Sequence, residues 1–398
     1  MCTDMMHRKL AILLLLFLHV TLAHAARIEL TGFESGANVE CLGSSGTVSF
    51  QTGVVYTGTY ALQTNPTTTG TGYCPIGIIS TTGAQATGGG SGTLYTVFRF
   101  RADTLPASGS EELFVAEGQS SSFKMYVRVT SAGKLQAYDS TNTQLGSDGA
   151  TTLSTATWYK LGVKVGTGAS AAYEVQINGA SELSGTGNLS TNGHSTRAFG
   201  KRTDRNGNSV NFYYDDIVID DASYPAGNSV VVLHPNANGS TMAWTAGTGA
   251  SDYTQVDEVV PNTTDYVKST ALNNVALFRF ETLPGTVTTP IAAVKTLQRV
   301  AEDVSGTSGY VVRIRSGSTN SDSGSSDVGN TAFTTRQRLL ETDPSTIAAW
   351  TIAGVNAAEA GGQDTSGTRL RLAWVTLMVE AAAVTVAPPA GRARMSVY

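Results

Sequence analysis

The chain is expected to be all-β, two β-sandwiches in tandem, on three observations. From Arg27 onward, short runs alternate apolar and polar residues: Phe123, Met125, Val127 and Val129; Tyr159, Leu161, Val163 and Val165; then Tyr173, Val175 and Ile177. A period of two turns one side of each run to a core. Turn residues punctuate the runs, and Asn178-Gly179 after an alternating run is a hairpin signal. Helical periodicity is missing, apart from room for one short helix between Thr346 and Glu359. At 398 residues the length suits two to three domains. Charged residues are 14% of the chain, against about 25% in typical domains, yet 41% is apolar, enough to build cores.

In chain order, His7-Arg8-Lys9 followed by the apolar run from Leu10 to Val20 has the layout of a secretory signal. Ala23-His24-Ala25 supplies the small-x-small cleavage site, so residues 1–25 read as a signal peptide; an uncleaved anchor or a misassigned start are the alternatives. The run is shorter than a membrane span requires, and no other segment is long enough. Cys41 and Cys74 then remain as a pair, for which a disulfide is the default in an oxidising compartment; two separately buried thiols are the alternative.

Residues 26–222 form the expected first sandwich and end on the strand Phe212 to Asp221. Strict alternation there places Asp215 with Ile217 and Ile219 on the buried side and turns Asp216 outward. A buried acid must be hydrogen-bonded, paired or metal-bound. Pro225 and Gly227 mark a linker at 223–228, and a second sandwich is expected at 229–381. Phe98-Arg99-Phe100 recurs as Phe278-Arg279-Phe280, and Tyr126-Val127-Arg128-Val129 as Val311-Val312-Arg313-Ile314, as in a duplicated domain; reuse of short sandwich patterns is the alternative. The Ser/Asp/Gly-rich stretch from Ser316 to Gly329 reads as a mobile loop, and 382–398 as a flexible tail.

Leu30-Thr-Gly-Phe-Glu-Ser-Gly36, Thr57-Gly-Thr-Tyr-Ala-Leu62, Thr157-Trp-Tyr-Lys-Leu161 and Tyr214-Asp-Asp-Ile-Val218 resemble a concanavalin A-like, laminin G-type jelly roll. The second half is similar to a domain that follows such jelly rolls in bacteriophage tail and virion-associated proteins, through Asp252 to Val259, Trp350 to Ala357 and Thr376 to Glu380. The resemblance implies a structural calcium near the first and last strands, with Glu34 and Asp215 or Asp216 as ligands. Calcium takes six or more oxygens, so carbonyls and water would complete the set. Backbone N–H groups satisfying Asp215 are the alternative.

Catalytic signatures are missing: no Glu-x-Asp-x-x-Glu strand, Gly-x-Ser-x-Gly elbow or His-Glu-x-x-His occurs, and His194 and His234 read as solvated. No enzyme is expected. For sugar binding, Trp158 is the candidate platform, on the face of Lys160 and Lys164, with Tyr213 beside it; a Trp158 that caps the core is the alternative. Net charge is −5 with no basic cluster, which excludes nucleic acid as a main partner. The function expected is a non-enzymatic extracellular or virion structural or adhesion protein, with self-association or other surface or virion proteins as partners. The alternative is a secreted carbohydrate-binding, lectin-like module with glycans as partners.

Overall fold

Strand Asn211–Asp220 organises the first sandwich because it is paired along both edges. The computed structural model describes residues 27–66, 70–79, 85–86, 92–120, 122–203, 207–226, 229–247, 252–367 and 369–382. The signal segment, the end of the expected linker and the tail beyond 382 lie outside the described residues. One edge of Asn211–Asp220 runs along Leu94–Thr104. The other meets Ala61–Thr64 over Phe212 to Tyr214, then Arg27–Thr31 over Ile217 to Asp220. Ala180–Gly187, Ala171–Ile177, Tyr159–Val165 and Val48–Gln51 complete this eight-stranded sheet.

The facing sheet runs in the order Leu135–Tyr138, Phe123–Thr130, Ser110–Gly118, His194–Lys201, Gly72–Ile79 and Ser45–Gly46, with Gln85–Ala86 paired to Gly72–Ile79. Phe98 of the first sheet stacks on Phe114 of the second (5.6 Å between centroids, 12°) and meets Phe199 edge-on at 5.1 Å. Such pairs each contribute about 0.5–1.5 kcal/mol beyond area burial. Cys41 and Cys74 are joined by a disulfide with Cα atoms 5.4 Å apart. This staples the segment after the first strand to Gly72–Ile79. The bridge spans a sequence separation of 33. The Cys41→Ala/Cys74→Ala double variant is therefore expected to lose about 3–4 kcal/mol of unfolding free energy, measured by denaturant titration.

The second sandwich has one sheet of Thr245–Ala246, Val267–Lys268, Leu370–Ala382, Thr288–Glu302 and Thr334–Leu340, with Ser229–Leu233 paired to Leu370–Ala382. The other holds Pro235–Met242, Val275–Phe280, Glu359–Asp364, Gly309–Ser316 and Thr319–Asp322, with Ser326–Asp327 paired to Gly309–Ser316. The stretch expected to be a mobile loop thus carries two short strands that hydrogen-bond to Gly309–Ser316, which a count of apolar residues could not show. Helix Ile352–Asn356 lies in the window left for it, capped by the Thr351 hydroxyl accepting from Gly354 N. The duplication reading is corrected. In the first sandwich the strands holding Phe98 and Tyr126 lie in opposite sheets, whereas those holding Phe278 and Val311 share one sheet.

The sandwiches touch through an apolar cluster that joins Leu30 and Val218 to Val230, Ala293, Leu297, Trp374 and Met378. Buried polar groups flank it. Lys295 Nζ donates to Glu29 and to Leu30 O, Gln337 Nε2 donates to Glu29 Oε2 at 3.0 Å, and Arg27 Nε donates to Glu380 Oε2 at 2.7 Å. Among the described residues no helix is long and apolar enough to cross a membrane.

Candidate functional site: an aromatic and charged sheet face

The three motifs Leu30 to Gly36, Thr57 to Leu62 and Tyr214 to Val218 converge at one place. Asp215 and Asp216 fall between the two partners that share one edge of Asn211–Asp220, where the register shifts and Asp216 takes φ 47°. The bulge reverses the alternation: Phe212 and Tyr214 enter the core before it, Ile217 and Ile219 after it. Asp216 is therefore not outward but 1% exposed, and Asp215 is fully buried. Backbone N–H groups of Tyr56 and Thr57 donate to Asp215 Oδ2 (2.9 and 3.2 Å). Asp216 Oδ1 accepts from the Thr57 hydroxyl and from Val230 N. Glu34 accepts from Thr59 N and Tyr60 N. Gly58 sits within that loop because a Cβ there would lie 2.1 Å from Glu34 Oε1.

Burial holds all three acids proton-bound further up the pH scale. Glu34 is pushed up to about 8 and Asp216 to about 7, and Asp215 rises well above the usual range, with neighbouring carboxylates adding to burial. For calcium, the cluster offers one orphaned buried oxygen, Asp216 Oδ2. Among the described residues no group of three or more His, Cys, Asp or Glu is placed to hold a metal ion. As placed, the cluster satisfies itself mainly on backbone donors.

Trp158 is half-buried and meets Tyr56 edge-on at 5.8 Å, while the Arg99 guanidinium lies 4.2 Å above the Tyr56 ring. Tyr213 is 6% exposed, its hydroxyl accepting from Asn211 Nδ2 and Gln63 Nε2, so its ring is not an open platform. The histidines also differ from expectation. His194 is 1% exposed and is pushed down to about 2 by burial and by Arg197 beside it. His234 is half-buried and lowered by burial.

A richer surface lies on the outer face of the facing sheet, in residues the alternation had set aside as polar partners of the core. Met125, Val127 and Val129 point inward, which puts Tyr126 and Arg128 on the other side. Tyr126, Val115 and Ala198 form a small apolar floor edged by Tyr73, Phe123 and Tyr138. The Arg128 guanidinium lies 3.9 Å over Tyr138, and that of Arg202 lies 4.5 Å over Tyr73. Each arginine has an acid nearby: Arg202 Nε donates to Glu117 at 2.7 Å, and Glu112 lies 3.7 Å from Arg128. Glu117 also accepts from the Thr196 hydroxyl. Tyr73, Pro75, Glu117, Thr196 and Arg202 line a cleft of about 380 Å³ whose wall includes Leu42 and Gly43, next to the disulfide. Half-buried rings beside a paired guanidinium and carboxylate can stack on one face of a ligand and hydrogen-bond its rim. Tyr126-x-Arg128 and Gln136-x-Tyr138 were the available sequence signal: aromatic and long polar or charged side chains on the face turned away from the core.

No protein-family model matches the chain, and no curated protein matches it. Among solved structures it is similar to the endo-β-1,4-glucuronan lyase of the fungus Trichoderma reesei, with 13% identity over 51% of this chain and 98% of that one and a TM-score of 0.39. It is also similar to the cellulose-induced protein Cip1 (17% identity, 48% and 96% covered, TM-score 0.36). A third is the alginate lyase AlgAT5 of polysaccharide lyase family 7 (13% identity, 40% and 77% covered, TM-score 0.32). None of these three is named as a tail or virion component. Two of the three are named as lyases, and against that finding the expected non-enzymatic structural or adhesion role and the expectation that the chain is not an enzyme are corrected.

Proposed function

We propose that the chain is an exported carbohydrate-recognising protein of laminin G-type jelly-roll architecture, and that sugars bind on the outer face around the Tyr73–Glu117–Arg202 cleft. One observation carries the reading: rings, guanidinium and carboxylate are gathered on one open sheet face, with a cleft beside them of the size small-ligand sites have. Sugars present flat C–H faces to rings and vicinal hydroxyls to paired polar groups, and this face offers both. The disulfide suits an oxidising compartment.

The test is retention and cleavage on a panel of soluble polysaccharides, including glucuronan, alginate and a cellulose derivative, the polymers that the names of its structural neighbours suggest. Tyr73→Ala and Arg202→Ala are each expected to weaken retention about tenfold, the scale of one lost charge-assisted contact or stacked ring. Trp158→Ala, on the other sheet, is expected to leave retention unchanged. Retention that survives both cleft substitutions, or that falls only with Trp158→Ala, would move the site to the Trp158–Tyr56 pair.

A further inference from the structure

A second cavity, of about 330 Å³, lies where the two sandwiches meet, away from the sugar face. Val230, Val232, Val259, Pro284 and Val287 make much of its wall apolar. The first sandwich contributes Glu34 and the loop Thr57 to Thr59 that cradles it. The ionisable groups in the lining are Glu34, Glu281 and His234, and neither lysine nor arginine is among them. Glu34 is 6% exposed and takes backbone N–H donors, so its carboxyl group lines the cavity without a cationic partner among the described residues. Val259 is 43% exposed, so the cavity reaches solvent on that side.

We propose that this cavity binds a small organic ammonium, its apolar body against the valines and its nitrogen against the Glu34 carboxylate. Each part of the lining favours that class over another. An anion would meet two carboxylates and no cation. A bare divalent metal needs six or more oxygens, and the apolar wall cannot supply them. A neutral apolar molecule leaves the buried Glu34 carboxyl group with its proton and gains no ionic contact, whereas an ammonium favours the carboxylate and pairs with it through a charge-assisted hydrogen bond. The volume is at the lower end for small-molecule sites, which suits a single-ring or short-chain amine. Because Glu34 comes from one sandwich and the valines from the other, the ligand would bridge the two and stabilise their contact.

The experiment uses the full chain and three cyclohexyl probes, cyclohexylamine, its isostere cyclohexanol and the anion cyclohexanecarboxylate, each read by thermal unfolding and by calorimetry. About pH 8.5 keeps the amine protonated. The amine alone is expected to raise the unfolding temperature. Glu34→Gln, which retains an acceptor for Thr59 N, is expected to weaken the amine at least about tenfold. Val259→Trp, at the exposed rim, narrows the cavity without touching Glu34 and is also expected to weaken it. Equal shifts from amine and alcohol, no shift from the amine, or an undiminished amine response in Val259→Trp would overturn the proposal. Loss of retention in the polysaccharide panel leaves this result unaffected, because the two sites share no residue.

Discussion

Glu29→Ala is expected to destabilise the protein by about 3–5 kcal/mol, among the largest effects of any single substitution, because it strands a buried ammonium. Glu29 and Lys295 are each 1% exposed and pair across the contact between the sandwiches. The Lys295 ammonium also donates to Leu30 O, and Gln337 donates to the second Glu29 oxygen. Removing either ion leaves the other desolvated without its counter-charge. Removing both is a different experiment: Glu29→Leu/Lys295→Met replaces ions by methylenes beside the apolar cluster of Leu30, Ala293 and Leu297. The double variant is expected to recover most of the loss, since a buried ion pair and a well-packed apolar pair differ little in net stability. Urea titration of the wild type, both singles and the double closes the cycle. Singles that lose under 1 kcal/mol would mean that water reaches the pair and that the contact is looser than its burial indicates.

The fold was legible because its signal is periodic, whereas the sites depend on where that periodicity fails or on the face it leaves over. Alternation in Phe123–Thr130 and Tyr159–Val165 identifies core positions without knowledge of partners. The Cys41–Cys74 bridge followed from parity and compartment alone. Asp215 is buried as alternation expects, but Asp216 could not be placed by it, because the strand bulges where it changes partners from Ala61–Thr64 to Arg27–Thr31, both far away in sequence. The same limit hid the face proposed to bind sugars. Tyr73, Glu117, the Tyr126–Arg128 pair and Arg202 come from four different strands and their flanks, and only the sheet order sets them side by side. Fold resemblance pointed elsewhere, since a β-sandwich carries many functions and its sites are grafted on locally.

Between about pH 5 and pH 8.5 the protein is expected to lose stability as pH rises, the reverse of the usual behaviour of paired surface acids. The sign follows from the acid cluster. Glu34 is pushed from 4.5 to about 8 and Asp216 from 3.8 to about 7, mainly by burial. A carboxyl whose folded pKa lies above its unfolded value binds its proton more tightly when folded. Its contribution is complete below the unfolded pKa and is lost as pH climbs through the folded one. Allowing for relaxation around the charges, the loss is roughly 2–3 kcal/mol, or about 5–10 °C in unfolding temperature. His194 acts on the other limb: its folded pKa is depressed from 6.5 to about 2, so its contribution is present above 6.5 and fades as pH falls through that window. Stability should therefore peak in mildly acidic solution. Glu34→Gln and Asp216→Asn are each expected to flatten the alkaline limb and leave the acidic one in place. Calcium provides the decisive comparison at the alkaline end. If Asp216 Oδ2 and its neighbours gather an ion there, millimolar calcium will restore the lost stability in chelator-treated protein, and Asp216→Asn will abolish the rescue. If the cluster is held by backbone donors alone, the alkaline limb will fall identically with calcium and with chelator.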